Sequence, residues 1–346
     1  MVTRLDLLVV ADHVGGGLGA SAVAHSEWFA ARGWAVGLAA PHQSAGEQAG
    51  VRRLPLPIAG SALDAGAVRA AARELRRLVT ETRPAVVHVH GTRSQLLCLL
   101  AGRLPYVTMH GAGGRVPGQR PAGTALRALG RAVAPRLARA AYSASPSGRA
   151  WRTVLHASPR LAEMEQVGPV AGGSTPVFLW LGRLDQPKEP MTFVRACALA
   201  AERVDLRGVV VGDGPQRAEL AAEAERLGAP VSFVGATDDV ATQMEAAWAL
   251  CLFSGFEGVP FSVQEAMWAG RPVVLSPLPS LRWFAGSAAS YAGDVAAAAD
   301  LMVALAAPDV ARARGEDAQE RVRGLLSPDD PFPRYLRDYG PAMTSR

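Results

Sequence analysis

Lysine is all but absent: Lys188 is the single one among 36 basic residues, so every other cation is an arginine. The chain is rich in alanine, arginine, glycine and proline, as a GC-biased coding sequence gives, and a lysine that persists there is a candidate for a chemical task. Its compact ammonium on a flexible stem enters crowded anionic pockets that a wide planar guanidinium does not. Chance survival on a surface loop is the competing reading.

Cysteine is scarce too. Cys98, Cys197 and Cys251 are widely spaced, odd in number and form no C-x-x-C pair. That argues against a disulfide framework and a cysteine zinc site, and fits a reducing cytoplasm. Aromatics are 6% of residues, too few to interleave a basic surface for base stacking, and no nucleic-acid recognition motif is present. Long apolar runs are missing as well. The first, "LDLLVVA" at 5–11, is interrupted by Asp6 and too short for a leader, and no later run reaches the ~20 residues of a membrane span. Acidic residues are missing between Thr82 and Ala162, a stretch with twelve arginines, among them Arg115, Arg120, Arg127, Arg131, Arg136 and Arg139. Residues 1–162 hold 20 arginines against 7 acids, net +13; residues 163–346 hold 16 cations against 24 acids, net −8. The first half is built to attract anions: an acidic acceptor, an acidic membrane face or the acidic second half. Solvated helix faces are the plainer alternative.

What is present is ample for two cores, with 346 residues, 49% hydrophobic and 19% charged. Strand-like runs alternate with helix-like ones in a βαβ rhythm: 5–11, 35–40, 85–90, 105–110 and 140–145, then 177–182, 206–212, 231–235, 250–254 and 272–276. Helices are expected near 18–32, 64–82, 190–203, 215–227, 238–247 and 262–269. "VGPVAGGSTP" (167–176) reads as a linker. The expected architecture is therefore α/β, with two doubly wound domains at 1–166 and 177–327 and a site in the cleft at the carboxyl ends of their strands.

Two loops carry candidate chemistry. "VVGDGPQ" (210–216) sets Gly212 and Gly214 between a strand and a helix, where backbone can approach a ligand or simply turn tightly. "SGFEGVPFSVQEAMWAGRPVV" (254–274) runs a polar loop into a helix, with Glu257 on the loop and Glu265 expected in the first turn. These carboxylates can face opposite ends of one ligand whose phosphates favour the helix dipole, or Glu265 can merely complement that dipole.

"FLWLGRLDQPKEP", "VVVGDGP", "VSFVGATDD" and "SGFEGVPFSVQEAMWAGRPVV" resemble, in order and spacing, the nucleotide-sugar-binding domain of the retaining glycosyltransferases of family four. "GGGLGAS", "VVHVHG", "TMHG" and "SPSGRA" fall where that family has comparable pieces. The resemblance implies the B-type fold of two Rossmann-like domains facing across a cleft. It also implies transfer of a sugar from a nucleoside diphosphate sugar to an acceptor hydroxyl, with retention, without a cofactor and without a metal. Arg183 and Lys188 would hold the leaving diphosphate, Glu257 would lie near the donor sugar and Glu265 would bind the ribose. Backbone at Val259, Pro260 and Phe261 would face sugar and phosphates, His110 would meet the sugar, and Gly16 and Gly17 would approach the phosphates or the acceptor. The tail, about 328–346, would cross back to the first domain, with Pro328, Pro331 and Pro333 breaking any continuous helix and Tyr335, Leu336 and Tyr339 docking. Three features depart from the family: Glu189 and Pro190 follow the lysine where glycine is usual, Pro260 replaces a common glycine, and the usual P-x-G-[hydrophobic]-D segment before the linker is missing.

Rival readings remain at this stage. Gly15, Gly17 and Ala20 keep a G-x-G-x-x-A register, but "AVGLAAPH" supplies no acid to close the second strand of an NAD site. His88, His90 and His110 are metal-type residues without an accompanying carboxylate. An inverting transferase with His13 as base, an epimerase of the same fold, and a non-catalytic sugar- or polyanion-binding module complete the alternatives. The expected partners are a nucleotide sugar and a small-molecule or glycan acceptor, with anionic character suited to the arginines. The expected location is the cytoplasm, with peripheral contact to the inner face of an acidic membrane as the variant.

Overall fold

The computed structural model describes residues 4–14, 16–41, 46–58, 65–102, 104, 106–111, 138, 140–143, 152–170, 175–186 and 188–344; for 106–111 it describes the backbone. The arginine series from Arg115 to Arg139, Gly15 and the "SPSGRA" segment lie outside the described residues. The chain divides into two compact units. One runs to Pro159 and regains the chain at Asp329; the other is Arg160–Pro328.

The first unit is built on the strands β1 (Leu7–Ala11), β2 (Val36–Ala40), β3 (Gly46–Gln48), β4 (Val51–Pro55), β5 (Val86–His90), β6 (Tyr106–Gly111), β7 (Ala140–Ser143) and β8 (Arg152–Thr153). They form one sheet in the order β3-β4-β2-β1-β5-β6-β7-β8, parallel except for the β3–β4 pair. Every residue of β1, β2 and β5 is buried, as a parallel sheet covered on both faces requires. Alternate residues serve opposite cores. Leu8, Val10, Val87 and Val89 pack with Ala71, Leu75 and Leu78 of the helix Ala65–Thr82, while Leu7, Val9 and Ala11 pack with Phe29 of the helix Gly16–Ala30 and with Tyr335 and Tyr339.

Tyr335 and Tyr339 belong to the tail, which forms the helix Phe332–Thr344 in spite of its prolines. Pro333 falls in the first turn, where a missing N–H is harmless. The two tyrosines, one helical turn apart, are fully buried, whereas Leu336 points off that face and is 39% exposed. The expected three-residue stripe is thus two residues, joined by Phe332. The Tyr339 hydroxyl meets His25 Nε2 at 3.1 Å and also bonds His88 Nδ1; His25 Nδ1 meets His90 Nε2 at 3.1 Å, and Tyr335 bonds His156 at 2.8 Å. His25, His88 and His90 each bring a nitrogen within 4.8 Å of the others, a donor set of metal type among the described residues.

The second unit holds β9 (Val177–Leu181), β10 (Arg207–Val211), β11 (Val231–Gly235), β12 (Ala249–Leu252), β13 (Val273–Leu275) and β14 (Ser290–Tyr291), all parallel, in the order β11-β10-β9-β12-β13-β14. The unit begins at Arg160, earlier than the boundary at 166 read from the sequence. The short helix Leu161–Met164 buries both its end residues, and Val170, within the expected linker, is buried against Trp248 and Ala311. Apolar anchors decide that boundary rather than Gly/Pro content. The helix Thr92–Ala101 and the β3–β4 hairpin were not foreseen; "QLLCLLA" has no polar face to betray a helical period. Among the described residues no helix is long and apolar enough to cross a membrane.

Buried Arg271 ties two helix ends together in this unit. Its Nε donates to the Met244 carbonyl (3.0 Å), Nη1 to Ala269 (3.0 Å) and Nη2 to Glu245 (3.3 Å), satisfying the last turns of the helices Val240–Ala246 and Phe261–Trp268. Burial pushes its pKa down to about 10, against the pull of the Glu245 carboxylate, so it stays charged at neutral pH. Arg271→Met strips three carbonyls of their donor and is expected to lower stability by about 3 kcal/mol in denaturant unfolding. A loss below about 1 kcal/mol would mean that those carbonyls find other donors.

The position after Lys188 explains one departure from the family. Glu189 is the N-cap of the helix Pro190–Ala201 and sits in the left-handed region at φ 43°, ψ 48°, with no capping bond from its side chain. Glycine takes this conformation freely, and a side chain is strained there. Glu189→Gly is expected to raise stability by about 0.5–1 kcal/mol. A lowered thermal midpoint would count against the strain.

Candidate functional site

Loops at the carboxyl ends of the second sheet gather the candidate residues. The β9 loop carries Arg183 and Lys188, and the β10 loop packs on it: Gly182 N–H donates to Val211 (3.0 Å), Leu184 N–H to Asp213 (3.0 Å) and Gln216 N–H to Leu184 (3.0 Å). A Cβ on Gly212 would stand 1.8 Å from the Gly182 carbonyl oxygen, and one on Gly214 2.4 Å from that of Leu184. The close approach these glycines permit is therefore to the lysine loop itself.

Lys188 does not sit free on a surface. Its Nζ lies 2.5 Å from Glu257 Oε1, with side-chain exposures of 20% and 7%. The same oxygen accepts the Ser254 hydroxyl at 2.8 Å, and the Glu257 carbonyl accepts that of Ser280 at 2.7 Å. The Ser254 N–H in turn donates to Ser276 Oγ at 2.9 Å. Two mostly buried opposite charges this close, far less screened than a surface pair, form a persistent contact. Arg183 is different: its side chain is 65% exposed and pairs with Asp185 at 3.1 Å.

The β12 loop runs through Val259 and Pro260 into the helix Phe261–Trp268. Pro260 is the N-cap (φ −69°, ψ 142°), and no side chain caps the helix. A proline N-cap leaves the first helical N–H groups, from Phe261 on, as the donors of this terminus. Glu265 is the fifth helical residue, just past the first turn in which it was expected, and is 1% exposed. Its Oε1 lies 3.8 Å from Arg160 Nη1, so it is engaged by a cation besides any effect on the dipole.

In the first unit, Gly16 and Gly17 open the helix Gly16–Ala30 rather than a preceding loop. A Cβ on Gly17 would meet nothing within 4 Å, whereas one on Gly19 would strike the Val14 backbone at 2.3 Å, so packing requires glycine at 19. Exposed His13 follows β1 beside Asp12, whose carboxylate caps the helix Thr92–Ala101 through the Ser94 N–H (2.6 Å) and hydroxyl (2.7 Å). His110 is on β6 in register with His90; its side chain lies outside the described residues. Ser254, Ser276, Ser280 and Arg160 were not singled out in the sequence. Ser254 stands three residues before Glu257 in the motif and was within reach, while the others depend on chain crossings.

Residues 15–156 match the family model described as Glycosyltransferase Family 4, and residues 175–307 the model described as Glycosyl transferases group 1. Over 169 residues the chain is 32% identical to the phosphatidyl-myo-inositol mannosyltransferase of Mycobacterium leprae, covering 46% of this chain and 43% of that protein. Over 94 residues it is 36% identical to an alpha-1,4-N-acetyl-D-galactosaminyltransferase of Campylobacter jejuni whose name gives an undecaprenol-PP-linked glycan, covering 27% of this chain and 26% of that protein. The matches thus span less than half the length of these curated relatives. Among solved structures, sucrose-phosphate synthase from Thermosynechococcus elongatus superposes with a TM-score of 0.76 at 19% identity over 98% of both chains. HepE of Anabaena, in complex with UDP and glucose, does so with 0.76 at 15% over 99% and 100%, and WaaG, a glycosyltransferase of lipopolysaccharide biosynthesis, with 0.71 at 14% over 98% and 99%. With a fold shared end to end with such enzymes, and with one family model matching most of each half, the chain belongs to the glycosyltransferases of the family-four type.

Proposed function

We propose that the protein transfers a sugar from a nucleoside diphosphate sugar to an acceptor hydroxyl with retention of anomeric configuration and without a metal. The observation that carries this reading is the Lys188–Glu257 ion pair at the loop that leads into the uncapped amino end of the helix Phe261–Trp268, which itself carries Glu265. Diphosphate takes the place opposite the free helical N–H groups and the ammonium, where negative charge is stabilised by fixed dipoles and a cation. The bond from the anomeric carbon to the phosphate oxygen breaks, and the charge left on the diphosphate is met by Lys188 and by the exposed guanidinium of Arg183. The acceptor oxygen attacks from the same face and gives its proton to the departing phosphate oxygen, so no protein base is needed. Glu265 binds the ribose hydroxyls and Glu257 orients the donor sugar.

The first unit takes the acceptor in this reading. Its excess of arginine favours an anionic one, and two relatives carry names with phosphorylated lipid components, an undecaprenol-PP glycan and a phosphatidylinositol. The test is a panel of UDP- and GDP-hexoses with neutral and anionic glycan or lipid acceptors in chelator-treated buffer, with proton NMR of the product. A retained anomeric configuration is expected. An inverted product would assign a base to the acceptor, with His13 the candidate, and a chelator-sensitive reaction would overturn metal independence.

Lys188→Ala is expected to lower kcat by at least about a hundredfold while circular dichroism stays native, because one preorganised charge on the leaving group is lost. Lys188→Arg is expected to be impaired as well, since the wider fork cannot occupy the ammonium's place beside Glu257 without displacing the diphosphate. Near-normal rates in both would return Lys188 to a purely structural partner of Glu257.

A further inference from the structure

We infer that Ser254 is a positioning residue for Glu257, holding its carboxylate in place when the donor diphosphate takes over Lys188; this rests on the donor-site reading above. Glu257 Oε1 has two donors, Lys188 Nζ at 2.5 Å and Ser254 Oγ at 2.8 Å. A diphosphate carries more negative charge than a carboxylate and competes for the same ammonium. As it binds, Glu257 loses much of its cation while a like charge arrives nearby. A carboxylate with 7% side-chain exposure has little water to turn to, so without a second donor it would swing away from the sugar or repel the phosphate.

Ser254 is that second donor, and it is in place beforehand. It is 2% exposed, and its backbone is pinned through its N–H to Ser276 Oγ at 2.9 Å. Glu257 is pinned at its other end, where its carbonyl accepts the Ser280 hydroxyl at 2.7 Å. Both supports are neutral hydroxyls. An arginine or lysine here would compete for the phosphate, whereas a hydroxyl orients the carboxylate and leaves the ammonium free to move. The arrangement works as a hand-over: the lysine guards Glu257 in the resting enzyme and the serine keeps it aligned in the loaded one.

The distinguishing experiment separates binding of the nucleoside diphosphate from use of the whole donor. UDP and GDP binding by calorimetry is compared with transfer from UDP- and GDP-hexoses in wild type, Ser254→Ala, Ser254→Cys and Ser254→Thr. In Ser254→Ala, affinity for the nucleoside diphosphate is expected to stay within about twofold of wild type or to tighten, while kcat/KM for the sugar donor falls at least about tenfold. Ser254→Cys, similar in size but a weak donor, is expected to lose activity likewise, and Ser254→Thr to recover most of it. Parallel losses of diphosphate affinity and kcat/KM would indicate a collapsed loop and overturn the assignment, as would wild-type kcat/KM in both Ser254→Ala and Ser254→Cys. Wild-type chain that binds neither UDP nor GDP would overturn the donor-site reading and this assignment together; binding and transfer indifferent to Ser254 would overturn this assignment alone.

Discussion

The ion pair between Lys188 and Glu257, 2.5 Å long and mostly withdrawn from water, governs the design of the second unit. Opposite charges in such a place are tolerable only when each stays beside the other, so the loops that carry them must be held to a fraction of an ångström. They come from different strands, Lys188 after β9 and Glu257 after β12, and neither loop is regular secondary structure. Rigidity has to come from outside the loops. Ser254, Ser276 and Ser280 supply it for the glutamate, and the β10 loop supplies it for the lysine.

That second support depends on two missing side chains. Gly212 and Gly214 let the β10 loop lie directly on the backbone of Gly182 and Leu184, where any Cβ would collide with a carbonyl oxygen. Glycines in a strand-to-helix turn are usually read as room for a ligand; here the room is used by the chain. The same trade appears at Glu189, where a strained backbone turns the chain from the lysine into the helix Pro190–Ala201. Local strain beside a charged group fits a site whose geometry is set by function rather than by local preference.

The first unit solves another problem. Its sheet is covered on one face partly by residues from the far end of the chain, and the polar atoms of four histidines lie within that cover. Tyr335 and Tyr339 pair with three of them, so a helix that begins three hundred residues after β1 satisfies imidazoles on the helix Gly16–Ala30, on β5 and at position 156. Buried polar rings of this kind need partners in fixed geometry, which makes the tail part of the fold of this unit.

Most of the strand and helix order was legible in the sequence because parallel strands buried on both faces print continuous apolar runs, as in "LDLLVVA" and "VFLWLG", and Gly/Pro punctuation separates them. Lys188, Glu257 and Glu265 stand out in the sequence for a chemical reason, one retained lysine and two carboxylates flanking a helix start. The helix Thr92–Ala101, an unbroken apolar run from Leu96 on, left no period to read, and the boundary at Arg160 depends on where Leu161, Met164 and Val170 find apolar contacts. Only the tertiary structure decided that Lys188 faces Glu257, that Arg160 reaches Glu265, that Ser276 and Ser280 brace the loop, and that Gly212 and Gly214 yield space to another loop. Each is a contact between segments far apart in the chain or on different strands. Residue type sets what a side chain is able to do, but spatial proximity, which sequence spacing does not encode, selects its partner.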